Sequence, residues 1–167
     1  MIALMSINTL ISTISKTLIA NQQMLVTAES CTGGLVAAAC TSVPGSSQWF
    51  ERGFVTYTND AKMECLGVDA DVIEKFGAVS EETAKHMAEG ALQHSHAQVA
   101  IATTGIAGPD GGSDEKPVGT VCFAWAIQGQ NTQMATQVFN GDRQAVREQA
   151  VEFVLQMLHQ RLDTIFC

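Results

Sequence analysis

The sequence predicts an α/β fold, a three-layer α/β/α sandwich around a mixed, mostly parallel sheet of about five strands. Short apolar runs alternate with amphipathic stretches along the chain, the pattern of strands interleaved with helices. Near the C-terminus, strand-like runs at 120–127 and 133–139 flank a turn at 129–131 and read as an antiparallel hairpin, which makes the sheet mixed. Each of the three most unusual segments of the sequence stands where a strand ends, the edge at which open α/β sheets bind ligands.

The elements follow in order. Ile7, Leu10, Ile11, Ile14 and Leu18 fall at helical spacing and predict an amphipathic first helix. A short apolar strand at 24–28 runs into Glu29-Ser30-Cys31-Thr32-Gly33-Gly34, followed by a small-residue helix at 35–40. Phe54, Val55 and Tyr57 favour a second strand at 53–58, and Asn59 stands where a helix N-cap belongs, ahead of 60–65. Ser80 with Glu81, Glu82 and Thr83 opens a longer helix to residue 93, its acidic first turn suiting the helix dipole. Residues 99–103 form an apolar strand that ends in a glycine-rich loop at 105–112. After the hairpin, a last helix at 142–162 places Val146, Ala150, Phe153, Val154, Met157 and Leu158 on one stripe.

The 167 residues suit one domain spanning 1–167, with no repeat or linker-like composition shift. The net charge of −8 repels nucleic-acid backbones and anionic membranes, so neither is an expected partner, while a local positive pocket for a small anion remains open. Residues 1–20 are apolar, but no basic start precedes them and polar residues interrupt them, unlike a signal peptide. No run is long enough to span a bilayer, and a cytoplasmic protein is expected. The five cysteines (Cys31, Cys40, Cys65, Cys122 and Cys167) include no CxxC pair and read as reduced thiols, mostly packed as small hydrophobes.

Read locally, the unusual segments leave alternatives open. Ser30 follows a strand and precedes a helix, a place for either a helix cap or an exposed nucleophile beside free N–H groups. Lys62, in the first turn of a helix, is either a surface lysine or a base whose amine is kept neutral by the helix dipole and burial. Tyr57 is either a strand aromatic or a proton relay between them. Loop 105–112 presents N–H groups to an anion or is a tight surface turn, and it lacks the Gly-Lys-Ser/Thr ending of a Walker motif. Arg143, one helical turn before Arg147, either clamps a phosphate in a bidentate fashion, or both arginines pair with Glu148, Glu152 or other surface acids. His86, His94, His96 and His159 have no convergent partners or metal-ligand spacing. Cys31, beside Ser30 near a helix start, is a rival nucleophile.

Five motifs occur together in order: Ala28-Glu29-Ser30-Cys31-Thr32-Gly33-Gly34, Tyr57-Thr58-Asn59-Asp60-Ala61-Lys62, Thr104-Gly105-Ile106-Ala107-Gly108-Pro109-Asp110-Gly111-Gly112, Lys116-Pro117-Val118-Gly119-Thr120 and Gly141-Asp142-Arg143. From residue 24 to 162 the chain resembles the nicotinamide-nucleotide amidase family, also known as the C-terminal domain of the competence-damage-inducible protein CinA. Thr58 lies where serine is common in that family, without loss of a required chemical group. The resemblance implies a stand-alone enzyme that hydrolyses the carboxamide of nicotinamide mononucleotide. It implies Ser30 as nucleophile, with Lys62 as base and Tyr57 assisting, and ranks Cys31 second. It assigns Thr32, Gly33, Gly34, Thr104, Gly105, Gly108 and Arg143 to substrate binding, needs no metal or cofactor, and implies a homo-oligomer. Two other classes stand beside it: a nucleotide-sensing module without chemistry, and a competence accessory protein acting through protein contacts.

Overall fold

The computed structural model describes residues 6–166. In chain order these form α1 (Ile7–Ala20), β1 (Leu25–Glu29), α2 (Leu35–Thr41), a 3₁₀ turn (Ser46–Gln48), β2 (Phe50–Val55), α3 (Asn59–Leu66), α4 (Ala70–Phe76), α5 (Glu81–Gln93), β3 (Val99–Gly105), β4 (Thr120–Ile127), β5 (Gln133–Val138) and α6 (Arg143–Phe166). Residues 1–5 of the apolar start, and Cys167, lie outside the described residues.

The five strands are ordered β2-β1-β3-β4-β5. β1 pairs in parallel with both β2 and β3, and β4 runs antiparallel to β3 and β5. Four strands therefore point one way and β4 alone runs against them. The ends of β1, β2, β3 and β5 and the start of β4 share one edge of the sheet.

Strand alternation sends successive side chains to opposite faces. One face carries Leu25, Val99, Ile101, Val121, Phe123, Trp125 and Ile127 against the buried stripes of α1, α2 and α6. The other carries Val26, Ala28, Ala100, Ala102, Ala124 and Ala126 against α5 and the end of α3. The result is the expected three-layer sandwich. Bulk fills the first interface: Phe123 and Phe153 have ring centroids 4.9 Å apart, and the Trp125 indole N–H donates to the Val154 carbonyl at 3.0 Å. Alanines thin the second, letting α5 lie close on the sheet.

Several boundaries differ from expectation for identifiable reasons. β2 spans Phe50–Val55 rather than 53–58, because the chain leaves the sheet after Val55 and turns Thr56 and Tyr57 towards the shared edge. Thr58, not Asn59, caps α3, its Oγ1 accepting the Ala61 N–H at 3.1 Å. The seven-residue α4 and the 3₁₀ turn gave no periodic signal because they bury no residue fully. Asp142 caps α6 instead of lying within it, through Oδ1 to the Ala145 N–H at 2.9 Å, and that helix continues to Phe166. In α1, Leu10, Ile11, Ile14 and Leu18 are buried but Ile7 is exposed. Cys31, Cys40 and Cys122 are buried free thiols, whereas Cys65 is exposed. Among the described residues no helix is long and apolar enough to cross a membrane.

Candidate active site

The shared edge gathers three strand exits around a cavity of about 180 Å³ lined by Ser30, Tyr57, Lys62, Thr104, Gly105 and Arg143, among others. Ser30 leaves β1 with its N–H donating to the Thr103 carbonyl at 2.9 Å, which pins it between two parallel strands. The chain then folds back, the Gly33 N–H donating to the Ser30 carbonyl at 3.0 Å. Gly33 and Gly34 take positive φ values of 57° and 99°, a conformation that glycine adopts without strain. Among the described residues the N–H groups of Cys31 and Thr32 meet no acceptor.

Lys62 is brought in by α3, and its side chain is 1% exposed. Its Nζ lies 3.1 Å from Ser30 Oγ, 3.1 Å from the Thr56 carbonyl and 3.5 Å from the Tyr57 carbonyl. Among the described residues no carboxylate forms a salt bridge with it. Burial lowers its pKa below the ordinary lysine value, against a smaller opposing effect of Cys31. A neutral amine has two N–H groups and one lone pair. With the two carbonyls accepting its N–H groups, the lone pair is left for the serine hydroxyl. That arrangement can withdraw a proton from Ser30.

Cys31 is a poor rival: burial pushes its thiol up to about 12, so the nucleophilic thiolate is scarce at neutral pH.

The remaining expected residues divide. Tyr57 lines the cavity with its ring exposed, but its hydroxyl accepts from Arg143 Nη2 at 2.6 Å rather than meeting Ser30. Arg143 also donates through Nη1 to the Gly108 carbonyl at 2.9 Å, closing one rim of the cavity. The Thr104 hydroxyl donates to the Ala78 carbonyl at 2.7 Å, which ties β3 to the segment between α4 and α5. Gly105 lies against Thr120, where a Cβ would stand 2.7 Å from the carbonyl oxygen. Thr32 points its hydroxyl away to Glu29 and Thr103, and Thr32, Gly33, Gly34 and Gly108 are not among the residues that line the cavity, unlike Thr104, Gly105 and Arg143.

The roles of two supporting residues, Glu29 and Arg147, escaped the sequence reading. Glu29, 1% exposed, accepts the N–H groups of Val36 and Ala37 at 2.9 and 3.0 Å and the Thr32 hydroxyl at 2.6 Å. It caps α2 from the preceding strand, since Gly34 at the N-cap position has no side chain to do so. Arg147 donates to the carbonyls of Cys31 and Thr32 at 3.1 and 3.3 Å instead of pairing with Glu148 or Glu152. The Glu29-Ser30 adjacency and the helical spacing of the two arginines were visible, but the partners of Arg147 lie more than a hundred residues away, and those of Glu29, though 3 to 8 residues on, depend on how the turn folds back.

The CinA C-terminal domain family model matches residues 7–162. The chain is 57% identical over 129 residues to the nicotinamide-nucleotide amidohydrolase PncC of Enterobacter agglomerans, covering 77% of this chain and 79% of that one. It is 55% identical over 146 residues to a putative competence-damage inducible protein of Symbiobacterium thermophilum, covering 83% of this chain but only 34% of that longer protein. Among solved structures, the competence/damage inducible protein CihA of Agrobacterium tumefaciens superposes with a TM-score of 0.90 at 46% identity, over 94% of this chain and 95% of that one.

Proposed function

The chain belongs to the CinA C-terminal domain family, and we propose that it is a nicotinamide-nucleotide amidase that converts nicotinamide mononucleotide and water to nicotinic acid mononucleotide and ammonia. The amidohydrolase relatives support the reaction class and substrate. The observation that carries the mechanism is the sealed Lys62 amine 3.1 Å from Ser30 Oγ, with two carbonyls accepting its N–H groups.

Ser30 Oγ attacks the carboxamide carbon while its proton passes to the Lys62 amine. The pyridinium charge of the substrate makes that carbon more electrophilic. The carbonyl oxygen becomes an oxyanion, which the unpaired N–H groups of Cys31 and Thr32 stabilise together with the glycine-rich turn. Lys62 then returns the proton to the departing nitrogen, and the carbon–nitrogen bond breaks to release ammonia. Water attacks the resulting ester, Lys62 again takes and returns a proton, and the acid leaves with Ser30 restored. Tyr57 serves this scheme by holding Arg143 rather than by touching Ser30. Thr104 and Gly105 form the wall beside the reacting amide.

The 180 Å³ cavity is small beside the ~300–1,000 Å³ of pockets that enclose whole ligands, so it suits the pyridine carboxamide alone. Two grooves border it. One of about 380 Å³, lined by Leu35, Arg143, Gln144, Arg147 and Glu148, joins it through Arg143. The other joins it through Val79 and presents Glu81, Glu82 and Glu115 with Lys116. A phosphate is favoured in the first and repelled by the second. Arg143 is therefore assigned to the phosphate, and Gly108 to holding Arg143 in place. The same reading takes residues 1–167 as one amidohydrolase unit, acting in the cytoplasm as a homo-oligomer.

The test is ammonia release from nicotinamide mononucleotide, with nicotinamide riboside and nicotinamide as controls. The expected result is turnover that favours the phosphorylated compound. Binding of the nucleotide without ammonia over hours would replace the enzyme with a sensing module.

A further inference from the structure

We infer that Arg147 is a positioning residue for the reaction: its guanidinium fixes the peptide planes after Ser30 so that the Thr32 N–H faces the developing oxyanion. This inference rests on the reading of Ser30 as nucleophile.

In a trans peptide the C=O and the following N–H point in opposite directions. Arg147 Nε holds the Cys31 carbonyl at 3.1 Å, so the Thr32 N–H of that peptide is turned to the far side. The Thr32 carbonyl accepts from the Leu35 N–H at 3.0 Å as well as from Arg147 Nη2 at 3.3 Å, and the Gly33 N–H of that second peptide turns back to the Ser30 carbonyl at 3.0 Å, so the first peptide is the one that Arg147 holds by itself. The second peptide is thus consumed in making the turn, while the first keeps a free donor. A cation on the carbonyl end also polarises the amide and strengthens its N–H as a donor, which adds to the geometric effect.

The packing around Arg147 supports a fixed placement. A Cβ on Gly33 would stand 3.3 Å from Nη2, so the turn passes close beneath the guanidinium. Glu29 clamps the opposite side through the Thr32 hydroxyl and the first N–H groups of α2. Carbonyls are held by a cation on one side and N–H groups by a carboxylate on the other. Two peptide planes of the turn, Cys31–Thr32 and Thr32–Gly33, are held in this way. Arg143, four residues earlier on α6, makes neither contact and bonds Tyr57 and Gly108 instead. The two arginines therefore act on different objects: Arg143 faces the substrate and Arg147 the backbone.

The experiment compares Arg147→Met and Arg147→Lys with the parent, measuring kcat and KM for nicotinamide mononucleotide. It also measures nucleotide affinity by calorimetry in a Ser30→Ala background with and without Arg147→Met. Losing one oxyanion donor lowers kcat by roughly 100-fold, so Arg147→Met is expected to lose about that much kcat with KM and affinity within about twofold. Arg147→Lys, which keeps the charge and one donor, is expected to fall between them. A large rise in KM and a matching loss of affinity, with kcat retained, would overturn the inference and make Arg147 a phosphate ligand. Unchanged kcat and KM in Arg147→Met would overturn it as well. Should Arg147→Met fail to fold, as judged by circular dichroism, Arg147→Lys alone decides by its kcat-to-KM split. If Ser30→Ala by itself keeps full turnover, the nucleophile reading fails first, a result separate from any of these.

Discussion

Gly90 lies in the middle of α5, where alanine ordinarily strengthens a helix by about 1 kcal/mol. Here the opposite is expected. A Cβ on Gly90 would stand 1.9 Å from the Leu66 carbonyl oxygen and 2.9 Å from its carbon, at the end of α3. These are backbone atoms that no rotamer change can move aside, so α3 must retreat by roughly 1 Å. Overpacking of this kind costs about 1–3 kcal/mol. Set against the helix gain, Gly90→Ala should gain nothing and lose up to about 2 kcal/mol, seen as a lower urea midpoint with unchanged slope. The same retreat carries Lys62, one turn before Leu66, away from Ser30. A misplacement of ~1 Å at a reacting pair costs on the order of 100-fold in rate, so kcat for ammonia release should fall by about that factor. A Gly90→Ala protein that is both more stable and fully active would refute the claim that close α3–α5 packing sets the Ser30–Lys62 distance.

Lys62→Met should lower kcat by about 10²–10⁴-fold, the usual contribution of a general base, with nucleotide affinity retained; an unchanged rate would remove lysine from the mechanism. In the parent, kcat/KM should rise with pH and level off at a midpoint below the ordinary lysine pKa, because only the neutral amine takes the serine proton. The same lowered pKa means that the unfolded chain binds more protons at Lys62 between the folded and unfolded values. Stability should therefore rise with pH across that window, and Lys62→Met should remove this contribution from urea titrations. Glu29→Gln should lower the unfolding free energy by roughly 2–3 kcal/mol, because a charged acceptor at the start of α2 becomes a weaker neutral one. A urea midpoint equal to the parent would show that the capping carboxylate contributes nothing.

The layered fold was legible because its long elements carry strong periodic signals. Leu10, Ile11, Ile14 and Leu18 mark α1, and Ser80 with its acidic neighbours marks the start of α5. The alternation along β4 was not, since all eight of its residues are buried and its two faces differ in side-chain size rather than in polarity. The early end of β2 was hidden because Tyr57 suits a strand, yet the chain there turns outwards to supply carbonyls to Lys62. At the site, Ser30, Lys62 and Thr104 could be named because each stands in an ordered motif at a strand or helix end. What Tyr57 and Arg143 bond, and how Arg147 holds the turn, depends on partners from 35 to 116 residues distant, which local pattern does not encode, while the contacts of Glu29 are near in sequence but exist only once the turn has folded back.

The central claim is that Ser30 performs the chemistry rather than capping α2, and the arrangement itself favours this, because Glu29 already does the capping. The direct test is Ser30→Ala, followed by ammonia release from nicotinamide mononucleotide and by calorimetric binding of the same compound. Loss of turnover by at least about 10³-fold with affinity within about threefold is the predicted result. Turnover within about tenfold of the parent would contradict the account and return Ser30 to a structural role.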